Sequence, residues 1–258
     1  MSTKEVLIQK WDSFLSKIEN RFKESLMHAQ NACIDQLAET NYDYETVMRS
    51  WQGMKAQIRQ LSHKIDVVWD EKVAPEMDVL GDFASDEYTK GSNLGDKLEE
   101  DLTAFERQLE GELSQLFYNH AIKIADKVHN CTQCNSEIQI RNDLFRAQYI
   151  TCNYCNTVNT IEPETQFLKV GWGIIDNIAK VKTQSQFDAM EDAIEAIRLH
   201  RGQAPESYWQ TYEKAHNAYW DAFFKERITL NSELEKRYDD DMARKKKEFE
   251  NYKKIQTT

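Results

Sequence analysis

Residues 44–68 read YETVMRSWQGMKAQIRQLSHKIDVV, with apolar side chains at Tyr44, Val47, Trp51, Met54, Ile58, Leu61, Ile65 and Val68. The steps alternate three and four without a break, so one face of a helix carries a heptad seam. Upstream, Leu7, Trp11, Phe14, Ile18, Phe22, Leu26, Ala29, Cys33 and Leu37 recur at the same spacing. Thr3 stands where an N-cap would, with Glu5 in the first turn. Only Glu39-Thr40-Asn41-Tyr42-Asp43 separates the two patterns. A connection that short folds consecutive helices back on each other, so residues 1–80 are expected to form an antiparallel helical hairpin. Pro75 is expected to end or kink the second helix near Val73.

The next stretch, GDFASDEYTKGSNLG at 81–95, holds three glycines, two serines and three acids. It breaks the periodicity and reads as a flexible linker over 81–93. Helical spacing resumes at Leu94, Leu98, Leu102, Phe105, Leu109, Leu113, Leu116 and His120, giving a long helix over 94–128. Pro163 stands where another helix could begin, and Phe167, Val170, Ile174, Ile178 and Val181 follow at helical steps. Gly171 and Gly173 around Trp172 suggest a close helix approach or a kink. Phe187, Met190, Ile194 and Ile197 make a shorter helix that stops before Gly202 and Pro205. Tyr212, His216, Tyr219 and Phe223, then Leu234, Tyr238, Met242, Phe249 and Tyr252, continue to the end, with a break expected at Thr229-Leu230-Asn231. Residues 164–258 are thus expected as C-terminal helices packing on the N-terminal ones. The fold class is mainly α: an elongated antiparallel bundle or coiled coil.

Composition agrees. Three prolines and eight glycines in 258 residues are too few turn-formers for a many-stranded sandwich or barrel. Apolar content of 40% beside 30% charge suits helices that keep one face in water. No run of about 18 apolar residues exists and the first twenty residues are amphipathic, so neither membrane insertion nor a signal peptide is expected. A cytoplasmic, reducing setting follows, in which paired cysteines read as metal ligands and not as disulfides.

Cys131-Thr-Gln-Cys134 and Cys152-Asn-Tyr-Cys155 stand 17 residues apart. Each CxxC pair makes a knuckle that offers two sulfurs on one side, and two pairs complete a tetrahedron. Asn135 and Asn156 follow the pairs, where a left-handed backbone is often needed. Glu137–Arg141 alternates apolar and polar, with Gln148–Thr151 a candidate partner strand and Thr157–Ile161 a third. On these residues 129–163 resembles a four-cysteine zinc ribbon, which implies one Zn²⁺ on Cys131, Cys134, Cys152 and Cys155. Iron in a rubredoxin-like site is the rival for the same ligands, though such knuckles are usually richer in glycine and proline. With all four places filled by protein sulfur the ion is expected to be structural. Cys33 lies on the first apolar stripe and reads as a core thiol.

No catalytic or cofactor-binding residues stand out: HExxH, GxSxG and glycine-rich phosphate loops are absent from the sequence. Glu213-x-x-His216 is a single match to the di-iron bundle pattern, with Asp126-x-x-His129 an imperfect second. Nucleic acid is disfavoured by charge. Residues 129–163 set Arg141 and Arg146 against Glu137, Asp143 and Glu162, and the first hundred residues carry twelve bases against nineteen acids. Cysteine spacing of two, seventeen and two, with Glu137-Ile-x-Ile-Arg141 after the first pair, is also similar to the coiled-coil zinc-finger regulators that enter the secondary channel of bacterial RNA polymerase. The chain departs from them in its greater length, in a strand-like Thr157–Ile161, and in a turn at 39–43 without paired aspartates. The expected function is non-enzymatic: a zinc-binding scaffold, adaptor or subunit acting through protein–protein contacts. The alternative is a transcription-associated regulator contacting polymerase or nucleic acid. Heptads can be satisfied within one chain or between copies, so the partner is either another protein or a second copy of this one.

Overall fold

The computed structural model describes residues 3–81, 85–125, 128–140, 147–162 and 165–257, with backbone alone at 124–125 and 165–172. The chain is mainly α-helical and divides into two compact units, Met1–Leu109 and Glu110–Thr258.

In the first unit α1 (Thr3–Glu39) and α2 (Tyr44–Val68) are joined by a four-residue turn. Asn41 and Tyr42 turn the chain at φ 51° and 63°, and Asp43 caps α2 by accepting from the Thr46 amide. The seam is buried at Tyr44, Val47, Trp51, Ile58, Leu61 and Ile65, facing Trp11, Ile18, Phe22, Ala29, Cys33 and Leu37 of α1's inner stripe. Leu15 is buried where Phe14 was expected; Phe14 instead stacks on Trp11 at 5.5 Å. Burial pushes the Cys33 thiol up to about 11, as for an inert core cysteine. At Pro75 the chain neither stops nor breaks. A π-helical turn, Trp69–Val73, in which the Ala74 amide donates to the Trp69 carbonyl, leads into the short α3, Ala74–Val79, with Pro75 in its first turn.

The linker expected at 81–93 is corrected over most of its length. Residues 82–84 lie outside those described, but α4 runs from Ser85 to Ala125. Cross-helix bonds set its direction: Lys90 to Asp12 and Lys97 to Glu19 on α1, Arg59 and Lys55 of α2 to Glu99 and Glu106. Partner numbers rise together along α1 and run oppositely along α2, so α4 is parallel to the first helix and antiparallel to the second. Gly91 explains the composition. A Cβ there would lie 2.7 Å from Trp11 Cζ2 and 3.3 Å from Ile65 Cγ2, and the Trp11 indole donates to the Glu87 carbonyl. The glycine marks a close helix approach.

In the second unit the end of α4 packs antiparallel to α5 (Thr165–Lys182). Ser114 accepts from Asn177, and a Cβ at Gly111 would fall 2.2 Å from Val181 Cγ2. Pro163 lies outside the described residues, as does the Trp172 side chain. α6 (Gln184–Arg198) ends before Gly202, whose φ of 83° suits only glycine, and α7 (Glu206–Leu230) starts after Pro205. The expected break is real: Asn231 leaves the helix, its side chain accepts from the Glu233 amide, and a 3₁₀ turn, Ser232–Arg237, leads to α8 (Tyr238–Thr257). α7 and α8 form an antiparallel hairpin whose seam is aromatic, with Tyr212 against Phe249 and Tyr252, and Lys245 over the Trp220 ring at 3.9 Å.

His216 lies inside that hairpin, 5% exposed, its Nε2 accepting the Trp220 indole N–H at 3.1 Å. Burial holds its imidazole below the usual range, and Lys245 opposes a second positive charge against the weaker pull of Glu248 and Glu213. Above pH 6.5 the ring is neutral folded or unfolded. As pH falls below that value the unfolded chain takes up a proton the native state resists, so stability is lost on the acid side. His216→Gln, which retains an acceptor for Trp220, is expected to flatten the fall in melting temperature below pH 6.5. An unchanged profile would show that His216 is not its source.

Candidate metal centre

Two β-hairpins carry the cysteines. Strand β1 (His129–Asn130) pairs antiparallel with β2 (Glu137–Ile138), and β3 (Gln148–Thr151) with β4 (Val158–Ile161). This corrects the expected pairing, in which Gln148–Thr151 partnered Glu137–Arg141. Each hairpin closes on its own knuckle. The reason is local: a CxxC turn reverses the chain within six residues and leaves its flanks in register. Arg141, Asp143 and Arg146 lie outside the described residues.

The knuckles are near-copies. Cys131 N donates to Ser136 O at 2.8 Å and Cys152 N to Thr157 O at 2.9 Å. Asn135 N reaches Cys131 O at 3.0 Å and Asn156 N reaches Cys152 O at 2.9 Å. Asn135 and Asn156 both stand at φ 59°, the left-handed conformation for which their residue type was suited. Gln133 N and Tyr154 N point at Cys131 and Cys152 Sγ at 3.5 and 3.4 Å. Cys134 Sγ meets Ser136 Oγ and Cys155 Sγ meets Thr157 Oγ1.

The hairpins bring the four sulfurs within 4.8 Å of one another, with Cys131 to Cys155 at 3.5 Å and Cys134 to Cys152 at 3.6 Å. Those distances exclude S–S bonds, and all four cysteines are free. A tetrahedron with metal–sulfur bonds of about 2.3 Å has sulfurs roughly 3.8 Å apart, so the donor set fits one ion of zinc's size and preference. Among the described residues this is the one group of three or more cysteine, histidine or acidic side chains close enough to share a metal.

The electrostatics favour an ion as well. Hydrogen bonds from the Cys134 and Gln133 amides bring Cys131 down to about 6, and Ser136 lowers Cys134. The Thr157 hydroxyl and amide draw Cys155 the same way, but burial and the sulfurs of Cys134 and Cys131 outweigh them and leave it raised. Thiolates this close resist joint ionisation until a cation neutralises them. Among the described residues the module's apolar core is small: Ile138 with Cys131 and Cys152, against partly buried Ile150 and Cys155.

One residue that spacing did not reveal is Asn159, on the buried face of β4, its side chain bonded to Thr132 of the other knuckle. The sulfur contacts of Ser136 and Thr157 do have a sequence signal, the repeated Cys-Asn-Ser and Cys-Asn-Thr. No helix among the described residues is long and apolar enough to cross a membrane. No family model, curated protein or solved structure matches the chain.

Proposed function

We propose that Cys131, Cys134, Cys152 and Cys155 hold one Zn²⁺ as an architectural ion. The chain then serves without turnover, as a helical scaffold, adaptor or subunit of a larger protein assembly. The observation that carries this is the closed donor set: two like knuckles supply four sulfurs and leave no place for water or substrate on a tetrahedral ion. Zinc is favoured over iron because it takes this tetrahedron with no redox demand on the protein. The ion supplies folding energy to a module in which the described residues bury only Ile138 and, in part, Ile150 beside the cysteines. On the outside of the second hairpin Tyr149 and Val158 are exposed, with Tyr154 at the knuckle tip, and tyrosines so placed suit protein contacts.

Metal analysis of the purified chain tests the first half: one zinc per chain is expected, unchanged by oxygen or reductant. An iron content with thiolate-to-iron colour would overturn it. For the second half, titration with DNA and RNA at moderate salt is expected to show no binding. Tight binding that weakens steeply as salt rises would favour the transcription-associated reading instead.

A further inference from the structure

We propose that Asn159 is the positioning residue of the metal centre, joining the first knuckle to the second hairpin so that the four sulfurs close together around one ion. This rests on the four cysteines being the metal ligands; Asn159 itself ligates nothing.

Comparison of the two knuckles leads to it. Twenty-one residues separate each element of the first from its mate in the second: Cys131 and Cys152, Cys134 and Cys155, Asn135 and Asn156, Ser136 and Thr157. The same step takes Ile138 to Asn159, each on the second strand of its hairpin and each buried, at 6% and 3% exposure. A knuckle hairpin therefore folds with isoleucine at this position. Burying an amide there costs free energy unless its hydrogen bonds are made, so its presence calls for a cause beyond the hairpin.

The bonds provide one. Asn159 Oδ1 accepts from the Thr132 amide at 2.9 Å and the Thr132 hydroxyl at 3.0 Å, both on the tip of the other knuckle. Nδ2 donates to Thr157 O at 3.0 Å and to Cys131 Sγ at 3.6 Å. Two acceptor sites and two protons are all used, which is everything an asparagine has. Reversing the amide would set Nδ2 against the Thr132 N–H, so the network also fixes its orientation. Beside it, Thr157 Oγ1 bonds Gln133, again from the second hairpin to the first knuckle. The two sheets are separate. Among the described residues this polar clamp ties hairpin to hairpin beside the sulfurs and the small contact of Ile138 with the second hairpin, and Asn159 is its buried centre.

The test uses the full chain, with Zn²⁺ alone competed against a chromophoric chelator near neutral pH and Co²⁺ as the spectroscopic stand-in. Asn159→Ala and Asn159→Ile, the second copying the mate, are expected to weaken zinc binding about 10–100-fold. At saturation both should still show tetrahedral thiolate–cobalt absorption, since all four ligands remain. Thr132→Val, at an exposed position that cannot open the core, is expected to weaken binding in the same direction by less, and to add nothing in the Asn159→Ala background. Thr160→Ala, exposed on the far face of β4, should leave affinity unchanged. Zinc affinity of both Asn159 variants within about two-fold of wild type, or a full additive loss in the double variant, would overturn the proposal. Wild-type chain that takes up neither ion would instead overturn the metal reading on which it rests.

Discussion

Trp51→Ala is expected to destabilise the Met1–Leu109 unit by about 3–5 kcal/mol, the range for removing a large aromatic from a packed core. Trp51 is 0% exposed in the middle of the α2 seam, its ring 5.5 Å from Phe105 of α4. Its indole N–H donates to Glu106 Oε1 at 3.1 Å, beside Lys55 Nζ at 2.5 Å and Gln52 Nε2 at 3.3 Å. The alanine variant therefore opens a cavity between two helices and takes a donor from a half-buried carboxylate. Trp51→Phe separates the two effects: it retains most of the packing and forfeits the hydrogen bond, for roughly 1–2 kcal/mol. Burial alone would raise the Glu106 pKa, but the bonds from Lys55 and Trp51 outweigh it and hold the group below its ordinary 4.5. That stability is in place above pH 4.5 and is lost as pH falls through the lower folded value. The Phe variant should accordingly show a shallower acid limb. Urea unfolding followed by circular dichroism reads both; a loss below about 1 kcal/mol for Trp51→Ala would mean the seam tolerates a void there.

Periodicity made the helical face of Trp51 legible, because an unbroken three–four alternation has no other economical explanation. Asn231, and Gly202 with Pro205, were equally readable, since their conformations are properties of the residue types. The start of α4 was not. Counting back from Leu98, the inward steps fall on Leu94 or Gly95 and then on the buried Gly91. Gly91 is a seam position that a count of apolar side chains misses because it has none. Its helix penalty of about 1 kcal/mol relative to alanine is offset by the contact with Trp11 and Ile65. Local composition therefore pointed to a linker, and tertiary packing overrode it.

At the candidate metal centre the clustering of the four cysteines was legible and its frame was not. Cysteine spacing announces a tetrahedron directly. Strands of two residues, such as His129–Asn130 and Glu137–Ile138, carry no usable alternation, so their partners could only be guessed. The twenty-one-residue step between knuckles would have corrected the pairing, because like turns make like hairpins. Asn159 is a harder case: in sequence it is one polar residue in a strand, and only the approach of Thr132 from the other hairpin gives it a task.

Cys131→Ser is expected to unfold the two hairpins while the helical circular dichroism of the chain persists. Structural zinc in small peptides is worth about 10–16 kcal/mol of apparent binding energy at neutral pH. Among the described residues, burying Ile138 and partly burying Ile150 supplies only about 1.5–3 kcal/mol each at most, so loss of a bound metal is expected to outweigh what this apolar cluster contributes. Serine is nearly isosteric but offers a hydroxyl that stays protonated near neutral pH, and the three remaining thiolates no longer close the shell. The polar clamp cannot substitute for it. Asn159 bonds Cys131 Sγ as well as Thr132, so the change disturbs cage and clamp together. Helices such as α7 have their own cores in Trp209, Tyr219 and Phe223 and need nothing from the sulfurs. Limited proteolysis should thus cut the variant, or chelator-treated wild type, between residues 128 and 162 while larger helical fragments survive. Zinc restored to the stripped wild type should close those sites again, and zinc added to Cys131→Ser should not. Protection of 128–162 without metal would show that the hairpins stand unaided, and collapse of the helical signal in Cys131→Ser would show that the helices depend on the cage.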